Sequence, residues 1–295
     1  MRVLLTGWYS FLDGEATAGD VLARDAVRDR LDASGIPCDT AWSPVFKPGA
    51  LTLAGADPAD YTHLVFACGP LHGPDIAALH ERYARCRRIA VGVSVLDPAD
   101  PAVTGFDTVL ARDGLGPARP DLATVPDLPP VPVAGVVLSL GQGEYGTRRR
   151  HEDVADRVVD WLARTGCARL PLETRLDSRD WRLFGAAREL TSVLARLDAV
   201  VTTRLHGLVL GLRAGVPVLA VDPVAGGGKV TAQARALGWP AVLAAEDVLA
   251  TDGDERLAEL WRWCLSEPGE TAARIFSPGG NALLTALDDA LRSHL

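Results

Sequence analysis

Short apolar runs, each long enough for one buried strand, alternate with helix-length segments from one end of the 295-residue chain to the other, and this alternation narrows the fold more than any other feature. Runs of Val, Leu and Ala bounded by Gly, Pro or Asp read as strands covered on both faces. Segments with apolar spacing i, i+3, i+4, i+7 read as the helices that cover them. The pattern predicts an α/β class with mainly parallel sheets. In the first half it predicts strands at 2–6, 61–68, 88–95 and 106–111, with helices at 17–33 and 74–85. In the second half it predicts strands at 136–140, 168–173, 199–203, 217–221 and 241–243, with helices at 151–164, 180–197, 205–214, 230–237, 254–267 and 281–294. Between the halves lies VPDLPPVPVAG, residues 125–135, with four prolines and almost no helix potential. We place the domain boundary there, giving an N-terminal domain 1–130 and a C-terminal domain 131–295, in keeping with a usual domain size of about 100–200 residues. Two Rossmann-like halves with a ligand cleft between them are the expected architecture. No fixed-period repeat is visible.

Composition excludes several function classes. The net charge of −8 disfavours chain-wide attraction to nucleic acid or anionic lipid, so an anionic ligand has to be held locally. No apolar stretch reaches the roughly 18 residues of a membrane span. The opening MRVLLTGWYS reads as a first strand rather than a secretory signal, and a cytoplasmic location is expected. Cys38, Cys68, Cys86, Cys167 and Cys264 form no CxxC pair and are expected to be reduced core residues. The six histidines lack HxxxH or HxH spacing, and no metal site is expected. No GxSxG elbow occurs. Only Lys47 and Lys229 among the 30 basic residues are lysines, so a single arginine carries little information and a lysine carries more.

The most informative stretch is Thr203-Arg204-Leu205-His206-Gly207, between the apolar run 199–201 and an apolar helix. Leu205, Leu208, Val209 and Leu212 give that helix one buried face, while Gly207, Gly211 and Gly215 form a stripe without side chains that lets it approach a sheet closely. Arg204 and His206 then stand at the first turn, at the carboxyl end of a strand, where helix N–H groups and the macrodipole favour an anion. The plainer reading is a turn-capping histidine and an arginine paired with a carboxylate. Asp222-Pro223 followed by Gly226-Gly227-Gly228-Lys229 ends a strand and opens another helix; three glycines free backbone N–H groups for an oxyanion, and Lys229 adds charge. A flexible surface turn is the alternative, and the spacing is not that of a P-loop.

In the first half, Asp13, Glu15 and Asp20 are the carboxylates near a strand end that could act as base for a hydroxyl. Thr17 and Asp20 also have capping-box spacing, which makes Asp20 equally a structural residue. His72 sits on a glycine-rich strand-end loop. Arg112 either faces the cleft or pairs with Asp113. The run Arg148-Arg149-Arg150-His151 reads as an acceptor contact or, more commonly, a solvated face.

These residues together resemble the polysaccharide pyruvyl transferase family over nearly the whole chain. The opening strand with Gly7-Trp8-Tyr9 and Gly19-Asp20, the Gly69 loop and Arg112-Asp113 are similar to its weaker motifs; TRLHG with VPVLAVDP and Lys229 is similar to its most specific block. The resemblance implies two Rossmann-like domains of the GT-B kind, phosphoenolpyruvate as donor substrate with no cofactor, and a sugar-like diol as acceptor, bound on the N-terminal side. It implies donor-holding roles for Arg204, His206 and Lys229, with Arg112, Asp13, Gly207 and Gly228 as further contacts and His206, Arg204 and Asp20 as the catalytic set. Asp13-Gly14-Glu15 and Pro70 depart from the family pattern in the acceptor half, which points to an unusual acceptor such as a small sugar or natural-product intermediate. Two other readings stay open: a nucleotide-sugar-dependent glycosyltransferase of the same fold, with Glu173 or Asp222 contacting base or ribose, and a non-catalytic binding protein.

Overall fold

A computed structural model describes residues 1–12, 15–141, 143–276 and 281–292. Asp13 lies outside the described residues. The chain divides into two compact units, Met1–Pro129 and Pro130–Leu295.

The first unit contains β1 (Val3–Thr6), α1 (Ala18–Ala33), β2 (Cys38–Thr40), β3 (His63–Ala67), α2 (Pro74–Arg82), β4 (Arg87–Ser94), α3 (Pro101–Thr104) and β5 (Thr108–Asp113). Its parallel sheet has the order β2-β1-β3-β4-β5. Leu4, Leu64, Phe66, Ile76 and Tyr83 fill one side of it, all fully buried. The second unit contains β6 (Val133–Val137), α4 (His151–Arg164), β7 (Ala168–Pro171), α5 (Ala187–Leu194), β8 (Ala199–Thr202), α6 (Leu205–Arg213), β9 (Val218–Asp222), α7 (Lys229–Ala236), β10 (Val242–Ala244), α8 (Ala245–Leu249), α9 (Gly253–Cys264), α10 (Glu267–Arg274) and α11 (Ala282–Arg292). Its parallel sheet has the order β10-β9-β8-β6-β7. Counted from its own first strand, each unit has the doubly wound order 2-1-3-4-5. β8 and β9 are buried at every position, which is why they read as unbroken apolar runs.

Three sequence expectations are corrected. The strand expected at 136–140 is Val133–Val137, because the segment leaving the prolines is already paired: the Val133 N–H donates to Asp198 Oδ2 (2.7 Å) and Val137 lies opposite Thr202 of β8. The helix expected at 180–197 is confined to Ala187–Leu194. Ahead of it, Asp177 and Asp180 accept the backbone N–H groups of Arg179 (3.0 Å) and Arg182 (3.1 Å), and these local turns outcompete the helix. The helix expected at 254–267 stops at Cys264, and Ser266 caps a separate α10. β2 carries no apolar run, and its edge position explains why periodicity did not signal it. Among the described residues no helix is long and apolar enough to cross a membrane.

Candidate functional site

In a sheet of order 2-1-3-4-5, successive connections leave for opposite faces at the first and third strands, and ligands bind in the crevice outside their carboxyl ends. In the second unit these strands are β6 and β8. Two hydroxyls tie their ends together: Thr202 Oγ1 donates to the Val137 carbonyl (2.9 Å), and Thr203 Oγ1 accepts the Ser139 N–H (2.7 Å). Thr202 Oγ1 also accepts the N–H of Arg204 (2.9 Å), which fixes that residue as the extended N-cap of α6.

Helix α6 lies against the sheet because glycine permits it. A Cβ on Gly207 would fall 2.1 Å from Thr202 Oγ1, and one on Gly211 would fall 2.6 Å from Val218 Cγ2. The third glycine of the stripe does a different job: Gly215, at φ +75°, lies past the helix end in the left-handed conformation that terminates helices.

The structure brings Arg204, His206 and Lys229 into one pocket of about 240 Å³, lined also by Thr174 and Leu205. Arg204 Nη1 donates to Glu173 and to Thr174 Oγ1 (2.8 Å). His206 is exposed on the first turn of α6. Lys229 is the first residue of α7; its Nζ lies 3.9 Å from Glu144 Oε1 and 5.8 Å from the centre of the Tyr145 ring.

The glycine loop before Lys229 differs from expectation. Its amides are already engaged: Gly226 N–H donates to Glu246 Oε1 (2.8 Å), Gly227 N–H to the Val224 carbonyl (2.8 Å) and Gly228 N–H to Asp222 Oδ2 (2.7 Å). Asp222 is fully buried and also accepts the N–H groups of Val224 (3.1 Å) and Thr231 (2.8 Å). The loop is thus wound around its own carboxylate, and it presents Lys229 rather than an empty amide cradle.

The basic run 148–150 is largely exposed, as a solvated face would be, and it also binds the glycine loop. Arg148 donates through Nε to the Ala225 carbonyl (2.9 Å) and through Nη2 to that of Gly227 (2.6 Å), while the Arg150 N–H reaches the Pro223 carbonyl (2.9 Å). It straps the glycine loop in place. His151, next in sequence, is buried and stacks on Tyr145 with ring centres 6.0 Å apart. The sequence reading placed His151 in the basic run and not in the interior, because burial of a helix-starting histidine leaves no periodic signal.

Burial pushes the pKa of His151 below that of free imidazole, helped by nearby Arg149, and burial does the same at His80, whose Nε2 faces the Ala102 carbonyl at 3.2 Å. Lowered native values mean that the unfolded chain takes up protons first as pH falls. Their contribution to stability is therefore complete above an unfolded pKa of about 6.5 and declines as pH drops through that value toward the native ones. We expect the melting temperature to fall between pH 7 and pH 5, and less in His151→Phe; a flat profile would contradict the assignment.

In the first unit the singled-out residues are held by one another. Asp20 Oδ2 accepts from Thr17 N–H (3.0 Å) and Oγ1 (2.7 Å), completing the capping box of α1, while Oδ1 accepts from Cys68 Sγ (3.1 Å). Burial, then the contact with Asp20, pushes the Cys68 thiol pKa up and keeps it protonated. Arg112 binds Asp113 (2.9 Å), Asp121 and Ser94 Oγ (2.5 Å). His72 is exposed beside Trp8, ring centres 5.6 Å apart. Among the described residues no group of His, Cys, Asp and Glu is arranged to hold a metal ion.

Comparison with known proteins bears on the second unit. Residues 169–223 match the family model of polysaccharide pyruvyl transferase. The matched segment runs from β7 to the end of β9 and includes Glu173, Thr174, Arg204, His206 and Asp222, with Lys229 just beyond it. No curated protein matches the chain. Among solved structures, a spinosyn rhamnosyltransferase, SpnG, complexed with thymidine diphosphate is 14% identical, with 98% of this chain and 100% of that chain covered and a TM-score of 0.35. The UDP-GlcNAc 2-epimerase of Methanocaldococcus jannaschii, in complex with UDP-GlcNAc and UDP, is 11% identical over 97% of this chain and 100% of that one, TM-score 0.30. The E. coli heptosyltransferase WaaC with ADP is 14% identical over 89% and 98%, TM-score 0.25. The strand order, rather than these overlaps, defines the fold of each unit.

Proposed function

We propose that the protein is a pyruvyl transferase that takes phosphoenolpyruvate as donor and forms a pyruvate ketal on a sugar or sugar-like diol. The observation that carries this reading is the convergence of Arg204, His206 and Lys229 on one small pocket beside the β6–β8 crevice, within or next to the segment that matches the family. Phosphoenolpyruvate has two anionic groups, and two cations face the pocket. Arg204, with its planar fork of donors, suits the carboxylate, and the compact ammonium of Lys229 suits the phosphate.

The reaction needs a proton on the donor's methylene carbon, attack of one acceptor hydroxyl on the adjacent carbon, loss of phosphate and closure by a second hydroxyl. Imidazole is the side chain suited to carry such a proton near neutral pH, and His206 holds that place in the pocket. Of the two protons the hydroxyls give up, one replaces the proton donated to carbon and the other leaves with inorganic phosphate. Of the residues weighed as nucleotide contacts, Asp222 is fully buried and engaged by its own loop.

The test is thermal stabilisation by phosphoenolpyruvate against a nucleoside diphosphate, since a ligand that binds only the native state raises its melting temperature. We expect a shift with phosphoenolpyruvate in the wild type that disappears in Arg204→Ala. A shift with the nucleotide alone would replace this proposal by a glycosyltransferase.

A further inference from the structure

The segments that leave the carboxyl ends of β1 and β2, paired neighbours in the first unit's sheet, enclose a cavity of about 410 Å³. Its walls are Phe11 and Leu12 on the first segment and Pro44, Leu53 and Ala54 on the second, with Ser10 and Thr52 as the polar members. Among the described residues no charged side chain lines it. Both hydroxyls are already bonded within the chain. Ser10 Oγ donates to the Ala41 carbonyl (2.6 Å) and accepts the Gly7 N–H (3.2 Å), and Thr52 Oγ1 accepts the Gly55 N–H (3.1 Å). The Arg204 pocket offers charge, and this cavity offers carbon.

Apolar side chains stand exposed around it. Leu12, which lines it, is 64% exposed, and Val45, next to Pro44, is 75% exposed. Exposed apolar side chains gathered in one place mark a binding surface. The walls are fixed in advance, as in most small-molecule sites. The Phe11 ring packs edge-on against Trp8, ring centres 5.4 Å apart, and lies 6.4 Å from Phe66. The Ser43 N–H donates to the Tyr9 carbonyl (2.8 Å), which ties the second segment to the first, and the Trp42 N–H donates to the Leu51 carbonyl (2.8 Å), which closes the loop between them.

Place, size and chemistry agree on one kind of occupant. Doubly wound sheets take ligands outside the carboxyl ends of their strands. A volume of about 410 Å³ falls within the roughly 300–1,000 Å³ of small-molecule sites, whereas a stable protein interface takes about 20–30 residues a side. A sugar ring or an anion seated here would give up water without regaining hydrogen bonds, and an apolar group loses none. The flat ring of Phe11 suits a second flat ring. We propose that this cavity holds an aryl group carried by the protein's small-molecule substrate, so that the acceptor is an aryl-substituted sugar or sugar-like diol and not a bare sugar. That this substrate is a ketal acceptor rests on the pyruvyl-transfer reading; the aryl cavity does not.

The experiment uses the full chain with the neutral fluorescent probe N-phenyl-1-naphthylamine, which brightens in an apolar cavity, and with phenyl and methyl glycosides of glucose and galactose as competitors. Leu12→Asp puts a charge in the wall, and Ala54→Trp fills the space. Both positions are exposed, so melting temperatures should stay at the wild-type value. We expect phenyl glycosides to displace the probe at least tenfold more tightly than methyl glycosides. Both variants should lose at least tenfold in affinity for the probe and the phenyl glycosides, while stabilisation by phosphoenolpyruvate persists. Equal displacement by phenyl and methyl glycosides, or probe binding untouched by either variant, overturns the proposal. So does a wild-type dimer that Leu12→Asp splits in sedimentation, or association with phosphatidylcholine vesicles that it abolishes, since the apolar rim then belongs to a second copy or to a membrane. Should Leu12→Asp not fold, Ala54→Trp decides alone. The two readings fail separately. Stabilisation by phosphoenolpyruvate that needs Arg204, without any preference for phenyl glycosides, removes the aryl cavity alone. A phenyl preference that both variants abolish, without any binding of phosphoenolpyruvate, upholds the cavity and removes the donor.

Discussion

Asp222→Ala should lower the unfolding free energy by about 3 kcal/mol or more, since each buried donor left without a partner costs about 1–3 kcal/mol and this carboxylate serves three. Val224, Gly228 and Thr231 all point their N–H groups at it, and it is fully buried at the end of β9. Without it, nothing inside the loop replaces those bonds, and the turn that delivers Lys229 to α7 loses its centre. Asp222→Asn keeps one acceptor oxygen and should cost less. Chemical denaturation of the three proteins checks the order; an alanine variant as stable as wild type would mean that water serves the loop as well as the carboxylate does.

Gly207→Ala is the second large effect, and it acts on both stability and function. The new Cβ would lie 2.1 Å from Oγ1 of Thr202, a fully buried, β-branched strand residue whose hydroxyl already bonds Val137 and Arg204. Helix α6 has to move off β8. Overpacking of this kind costs about 1–3 kcal/mol. The helix carries His206 and begins at Arg204, so on the proposed function phosphoenolpyruvate binding should weaken together with stability. Calorimetric titration beside a melting curve separates the two losses. Intact affinity in a destabilised variant would show that the helix start is held by Thr202 alone.

How much of this was legible in the sequence depends on what fixed each element. The buried strands β8 and β9 and the helix α4 follow from uninterrupted or periodic apolar patterns, and the structure places them within a residue of the expected ends. β2 and the turns around Asp177 and Asp180 depend on edge pairing and on side chains bonding to nearby backbone, neither of which has a period. Both units share one strand order although the sequence shows no repeat, because topology constrains the alternation of elements and not the residues in them. At the site, Arg204, His206 and Lys229 were visible as polar residues placed at strand-to-helix turns. The engagement of a glycine amide by Asp222, the strap formed by Arg148 and the burial of His151 were not, since the first is an aperiodic loop bond, the second joins segments 77 residues apart and the third leaves no periodic mark.

The pairing of both pocket cations has a consequence for how a ligand arrives. Arg204 holds Glu173, and Lys229 lies within reach of Glu144. Entry of an anion is therefore an exchange of counter-ions, in which the incoming carboxylate or phosphate replaces a tethered glutamate. Such a swap leaves the local charge balance nearly constant, so affinity should depend less on ionic strength than at a bare cationic site. It also sets a threshold: a weakly basic monoanion competes poorly with a glutamate that is always present, and a ligand bearing two anionic groups at the right separation can displace both at once.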